Sequence, residues 1–537
     1  MKNRVKVFHI SLLVLSIIGV IALLISTRWG PGVGGDATIY MMSARNLIEG
    51  KGLGLIGPQG EFRLLPYFPP FFSMTLGFFG LLGFDIFRTA QVLNAILFGG
   101  IVWITGMVVF RSTRSNIFSL LAAGLVLSSP VLIPVYSWAM SEPLAIFLGF
   151  SGVWIVLEYI WNPRKVGLFY LSAILFGLAL LTRYNAAAFL GVGTLMVLFF
   201  QPSGFWKRVL KAIQYFVIGF LPMAVWMTFD FMQTDTFSSR RVEIALSLVE
   251  HARYLWNHFS YDMLFWLIPD SWIYNSPYPG LINKILPILA IVIVAAWFIL
   301  IALRLKREGD KQYQKLRQLM ILLFFFIIAF FSVIILVSST TYPPITINNR
   351  MISPIHIAVL WIVALMAYST VEFWKSQHWI KVVVPVFIAL VVIWYGWRSA
   401  HIVNQNWLSG LGYSSVAWQN SEVIEKVKEM PSETMLITNE TNAVLFLTGR
   451  AAYPLKEIYF DTPLKEFTAY GNGDLTNDDS QQYFKEEGYP LVLFDSIDDQ
   501  LSGLYGERTG ERISSLVSGL YRSYRGEDGG IFYYLEP

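Results

Sequence analysis

Apolar residues dominate long, unbroken stretches of the first 400 positions. Runs of span length lie near 7–27, 86–110, 116–136, 142–161, 167–182, 186–201, 210–230, 284–303, 318–338, 351–370 and 380–397. A helix crosses the hydrocarbon core of a bilayer in about 20 residues, and a continuous apolar run has no polar face to give to water. The pattern predicts a polytopic α-helical membrane protein of about 11 transmembrane helices, those at 167–182 and 186–201 being short. The run 71–84, rich in Gly and Phe, is too short to span and reads as an interfacial or re-entrant piece.

From about Ser414 the pattern changes to short elements. Helices are expected at Glu422–Glu429, at Asn442–Leu447 with a stop at Gly449, at Gln481–Glu487 and near Arg512–Leu520. Strands are expected at Met435–Thr438, Leu491–Phe494 and Ile531–Leu535. Helices alternating with strands predict a small α/β domain. The domain division is therefore 1–400, a transmembrane domain with outer loops 28–85 and 231–283, and 401–537, a soluble extracytoplasmic domain.

Charge orients the spans. The chain is 55% hydrophobic and 14% charged, and its net charge of +4 conceals an asymmetry. Residues after 400 include 10 basic and 21 acidic, against 30 basic and 15 acidic before them. With the first span running outward and 71–84 not counted, Arg111/Arg114, Arg164/Lys165, Lys207/Arg208/Lys211, Arg304 to Arg317 and Lys375/Lys381 all fall on one side. That is the cytoplasmic side by the positive-inside rule. Counting 71–84 as a span reverses every cluster. The N-terminus, with Lys2, Arg4 and Lys6 before the apolar run, reads as an uncleaved anchor. There is no cysteine, which excludes disulfides and thiolate chemistry. Nothing in the charge points to nucleic acid. No Gly-rich phosphate fingerprint and no repeat of useful period is present.

The unusual polar residues fall on the outer side. Asp36, within Gly34-Gly35-Asp36-Ala37, is the first carboxylate in the chain. It suits a helix cap and equally a general base for a hydroxyl. Tyr40, one helical turn on, shares its face. Glu142, in Ser141-Glu142-Pro143, stands at the mouth of a span, where it fits the first turn of a helix or a functional site. Arg183 and Arg350 end polar turns; each suits headgroup contact or phosphate recognition. Asn349 precedes Arg350. His258 and Asp262, four apart in loop 231–283, form a weak candidate metal pair.

The residues in order are the outer Asp36; Ala44-Arg45-Asn46-Leu47-Ile48-Glu49-Gly50; Pro66-Tyr67-Phe68-Pro69-Pro70; Ser141-Glu142-Pro143; Leu180-Leu181-Thr182-Arg183; and Asn349-Arg350-Met351. This series resembles the GT-C superfamily of integral-membrane glycosyltransferases, in the branch of protein O-mannosyltransferases and the aminoarabinose transferase of lipid A. The resemblance covers roughly residues 1–400. It implies a polyprenyl-phosphate-sugar donor bound from the outer leaflet, a glycan, lipid or protein acceptor, Asp36 as base, and Arg350 with Arg183 as donor-phosphate ligands. Tyr40, Glu142 and Asn349 would support the cleft. Protein O-mannosyltransferases carry an Asp-Glu pair where this chain has Asp36-Ala37, which counts against a protein acceptor. Some relatives use a divalent metal and others none, so the resemblance leaves the cofactor open.

The expected activity is inverting sugar transfer at the outer face of a plasma membrane, and the lack of cysteine suits a bacterial one. A transporter or flippase of lipid-linked sugars is the alternative; it would show paired half-sequences and broken helices, which are not evident. A membrane-anchored sensor needs far fewer spans.

Overall fold

The structure, a computed structural model, describes residues 2–65, 68–234, 247–269, 271–272, 275, 279–307, 310–340, 347–455 and 486–535. Among them eight helices are long and apolar enough to cross a membrane. They are α1 (Lys2–Ser26), α4 (Ile86–Thr113), α7 (Glu142–Trp161), α10 (Phe205–Thr234), α12 (Pro279–Arg307), α13 (Lys311–Thr340), α14 (Asn349–Phe373) and α15 (His378–Ser409). Shorter apolar helices are α3 (Phe71–Leu81), α5 (Asn116–Leu127), α8 (Val166–Thr182) and α9 (Ala187–Phe200), the last preceded by a 3-10 turn at Tyr184–Ala186. The protein is a multi-pass α-helical membrane protein with a C-terminal α/β domain.

The run 116–136 is not one helix. It breaks after α5 and resumes as α6 (Leu132–Ser137). Pro130 lacks an N–H and pushes Ser129 out of helical conformation. Ser128 closes α5 by donating its hydroxyl to the Gly124 carbonyl at 2.7 Å. The 231–283 loop contains α11 (Leu248–Leu267), opened by a reciprocal Ser247–Glu250 capping box. The stretches Pro66-Tyr67 and Pro277-Tyr278, and most of the helix expected at Gln481–Glu487, lie outside the described residues.

The chain forms two compact units, one of residues 1–28, 66–72 and 88–408, the other of residues 29–65, 73–87 and 409–537. In the first, α14 is the most enclosed span, with 78% of its apolar window buried, whereas α12 has 11% buried and turns its residues outward. Trp361 of α14 donates its indole N–H to Thr105 of α4 at 2.9 Å, and its ring lies 4.9 Å from Phe150 of α7. Phe189 of α9 and Phe326 of α13 pack against the same Phe150. The Trp361 N–H is thereby matched inside the apolar bundle, where no water is at hand to serve it.

Close helix approach depends on small residues. A Cβ on Gly177 of α8 would lie 2.4 Å from the Gly219 carbonyl oxygen of α10, and that backbone cannot swing away. Gly177→Val is expected to destabilise the protein by about 1–3 kcal/mol through overpacking. Thermal unfolding in detergent measures this, and an unchanged midpoint would refute it.

In the second unit, α2 (Gly35–Ile48) leads into a hairpin, β1 (Gly54–Ile56) and β2 (Phe62–Leu64), pinned by the Asn46 side-chain N–H to the Gly54 carbonyl at 2.8 Å. The α/β domain has strands β3 (Ile437–Thr438), β4 (Tyr453–Pro454), β5 (Leu491–Phe494), β6 (Tyr521–Gly526) and β7 (Gly529–Tyr533), ordered β4-β3-β5-β7-β6. Strand β3 pairs parallel with β4 and β5, while β7 runs antiparallel to β5 and β6. Side chains alternate along β5. Leu491 and Leu493 enter one core with Ile497, Leu501 and Leu516; Val492 and Phe494 enter the other with Val423, Val427 and Val444. Helices therefore cover both faces of the sheet, which is why this strand reads as a continuous apolar run. The helix at Thr441–Thr448 ends on Gly449 in left-handed conformation, at φ 74°. The expected terminal strand starts and ends two residues earlier, and the helix expected near Arg512–Leu520 is Thr509–Val517.

Helix α2 is built into this unit. The Tyr413 N–H donates to the Val33 carbonyl at 2.8 Å, and the Ser414 hydroxyl to the Pro31 carbonyl at 2.7 Å. The Phe87 ring packs 5.7 Å from Phe446, and Gly30, at φ 113°, lies flush against Phe87. A side chain at position 30 would overlap that ring as well as strain the backbone.

Candidate active site

Asp36 is the second residue of α2; the cap position is held by Gly34. The carboxylate is therefore not an N-cap, although it still lies where the helix dipole favours negative charge. It is only 9% exposed. Tyr40, one turn further, is buried as well. The pair share one helix of the second unit.

The other predicted residues converge in the first unit. Glu142 opens α7, followed by Pro143 in its first turn. Arg183 closes α8, and Arg350 occupies the first turn of α14, whose cap Asn348 accepts the Met351 N–H at 3.1 Å. Three helix ends thus bring three charges together. Arg183 Nη1 lies 2.8 Å and Arg350 Nε 3.0 Å from the same Glu142 oxygen, Oε1. The carboxylate is 3% exposed; the arginine side chains are 17% and 31% exposed.

These are contact ion pairs in distance, but the N–H groups are not aimed well enough at the carboxylate to count as hydrogen bonds. The attraction is Coulombic, and it leaves guanidinium N–H groups with other directions to serve. Arg183 Nη1 also donates to Ser141 Oγ at 3.0 Å, and Arg350 Nη1 approaches Met140 Sδ at 3.5 Å. The cluster joins two guanidinium groups to one carboxylate at the end of an apolar bundle. The cavity behind it, lined by Glu142, Arg183, Asn185, Phe330, Arg350 and Pro354, is about 10 Å³, room for about one water. Any larger anion must therefore meet the arginines from their exposed side.

Glu142 also ties the cluster to the scaffold. Its helix is held at its far end by Glu158, paired with Arg111 of α4, about 24 Å away at 1.5 Å per residue. A carboxylate between two arginines offsets their mutual repulsion, so both can stay side by side while partly buried.

Asn349 accepts the Trp266 indole N–H on its side-chain oxygen at 2.9 Å. Trp266 lies in the last turn of α11 and was not singled out among the three tryptophans of its loop. Arg398, 5% exposed on α15, was also missed. A lone arginine closing the last apolar run is a detectable signal, because charge there needs a partner. His258 and Asp262 share a face of α11, and burial holds the His258 imidazole below its usual pKa. Among the described residues no three His, Cys, Asp or Glu side chains converge to hold a metal. No step is assigned to one.

No protein-family model and no curated protein matches the chain. Solved structures do. ArnT from Cupriavidus metallidurans bound to undecaprenyl phosphate superposes with a TM-score of 0.55 at 12% identity, over 97% of both chains. The oligosaccharyltransferase AglB from Archaeoglobus fulgidus, in complex with an inhibitory peptide and a dolichol-phosphate, gives 0.49 at 13% identity, over 92% of this chain and 70% of that one. The likeness to ArnT shows that this chain has the same fold.

Proposed function

We propose that this chain, having the GT-C fold, transfers a sugar from a polyprenyl-phosphate-linked donor to an acceptor hydroxyl at the outer face of the membrane. The observation that carries the reading is the Arg183–Glu142–Arg350 cluster, two guanidinium groups and one carboxylate brought together from three helix ends. The ArnT structure of the same fold was solved with undecaprenyl phosphate bound, and a lipid phosphate is the leaving group that such a cluster suits.

In the proposed reaction the acceptor oxygen attacks the anomeric carbon as the carbon–oxygen bond to phosphate breaks. The proton of the hydroxyl passes to the Asp36 carboxylate, and polyprenyl phosphate departs with the bonding electron pair. A single displacement inverts the anomeric centre. Negative charge grows on the phosphate as that bond breaks, and fixed guanidinium groups stabilise it without having to reorganise. Asp36 serves as base. Tyr40 shapes the wall beside it, Glu142 draws the two arginines together, and Asn349 supports the cleft. The outer-face assignment is supported by the basic clusters of the sequence, which the span count puts on the opposite, cytoplasmic side.

The test is mass spectrometry of lipid-linked sugars and surface glycans in cells with and without the intact gene. Loss should leave one polyprenyl-phosphate sugar accumulated and one glycan modification missing. Identical lipid and glycan profiles would overturn the proposal.

A further inference from the structure

Helix α11 ends against α15. The last carbonyls of an α-helix have no partner within it, and here α15 supplies one to each of four in succession. Arg398 donates from Nη2 to Phe265 at 2.7 Å and to Ile268 at 3.1 Å, and from Nη1 to Trp266 at 3.4 Å. The Trp394 indole N–H donates to Leu267 at 3.1 Å. The Arg398 guanidinium also lies 4.9 Å from the Phe265 ring centre. A buried cation at a helix C-terminus is electrostatically favourable, and the four contacts leave the end of α11 little freedom to rotate.

That end carries Trp266. Its ring is 94% buried, lies 4.7 Å from the His356 ring two turns along α14, and its N–H reaches Asn349. Asn349 is the first residue of α14 and Arg350 the second. A continuous set of contacts therefore runs from Arg398 through the end of α11 to Trp266, Asn349 and the residue that meets Glu142. We infer that Arg398 and Trp266 are positioning residues for the phosphate-binding arginine: by fixing the end of α11 they set the first turn of α14 and so the direction of the Arg350 guanidinium. This rests on the donor-phosphate reading of Arg350.

The probe is undecaprenyl phosphate binding to the purified full-length protein, with undecaprenol as the control lacking phosphate. Trp266→Phe removes one N–H and keeps an aromatic ring. It is expected to weaken undecaprenyl phosphate binding about threefold to tenfold, the equivalent of one hydrogen bond, with undecaprenol binding unchanged. Asn349→Ala should do the same, and the double variant should be no weaker than either alone, as for two residues acting through one contact. Arg398→Ala should weaken phosphate binding in the same selective way, and Arg398→Lys, which keeps the cation at the carbonyls, should restore part of it. If Arg398→Ala does not fold, the Trp266 and Asn349 variants still decide. Unchanged phosphate binding in Trp266→Phe, alongside a clear loss in Arg350→Ala, would overturn the positioning role while sparing the donor site. No loss in Arg350→Ala would remove both.

Discussion

Asp36→Asn is expected to lower sugar transfer by about 10²- to 10⁴-fold, the range that a general base contributes. Asn has nearly the same size and shape, so α2 keeps its packing. The cap is Gly34, so no capping contact is lost, and the favourable placement of a negative charge near the helix start is worth about 0.3–1 kcal/mol. Folding, membrane insertion and undecaprenyl phosphate binding should therefore survive. Transfer is to be measured with the lipid-linked sugar identified by mass spectrometry, together with thermal unfolding of the same preparation. Loss of rate with retained binding and midpoint assigns the base. Turnover within about twofold of the original would remove Asp36 from the chemistry, since even a weak base contributes more than that.

Arg350→Ala is expected to weaken undecaprenyl phosphate binding by about 10- to 100-fold, as for one hydrogen bond to a charged group. The physical reason lies in the cluster's charge. Removing one guanidinium leaves Arg183 as the one arginine facing Glu142. Arg350→Lys should be intermediate, because an ammonium keeps the charge but lacks the planar fork that meets phosphate oxygens in pairs. Glu142→Gln separates the other consequence. It removes the carboxylate that both guanidinium groups face, and stability should fall by roughly 3 kcal/mol, the low end for a broken buried pair because both arginines retain some solvent. A folded protein with unchanged midpoint after Glu142→Gln would show that the carboxylate is not what holds the arginines together.

Much of the architecture was legible in the chain. Backbone groups in lipid must be bonded within their own segment, so a span announces itself as an apolar run whatever surrounds it. Leu491–Phe494 was legible for a related reason: a strand covered on both faces is apolar at every position. Gly449 marked a helix end because only glycine enters left-handed conformation without strain. The hairpin at 54–64 gave no such signal. Its strands are three residues each, too short for alternation to show, and Gly52, Gly54, Gly57 and Gly60 read as loop. The break in 116–136 was signalled by Pro130, but hydropathy outweighed it, since both pieces are apolar.

For the candidate site, the sequence by itself determined which residues carry unusual chemistry: a carboxylate after the first span, another at a span's mouth and two arginines at turns. It also determined that the chain lies in a membrane. Residue type and local hydropathy suffice for both, because each depends on transfer of a group between water and lipid. Only the tertiary structure decided how these residues are grouped. Glu142 meets Arg183 and Arg350, 41 and 208 positions away; the approach to α2 bonds to Tyr413 at Val33, and Thr38 of α2 itself reaches Asn442; and Arg398 closes a helix that ended 131 positions earlier. Such pairings follow from which helix ends pack side by side. They are set by shape and charge across the whole bundle, and periodicity within any one segment carries no record of them.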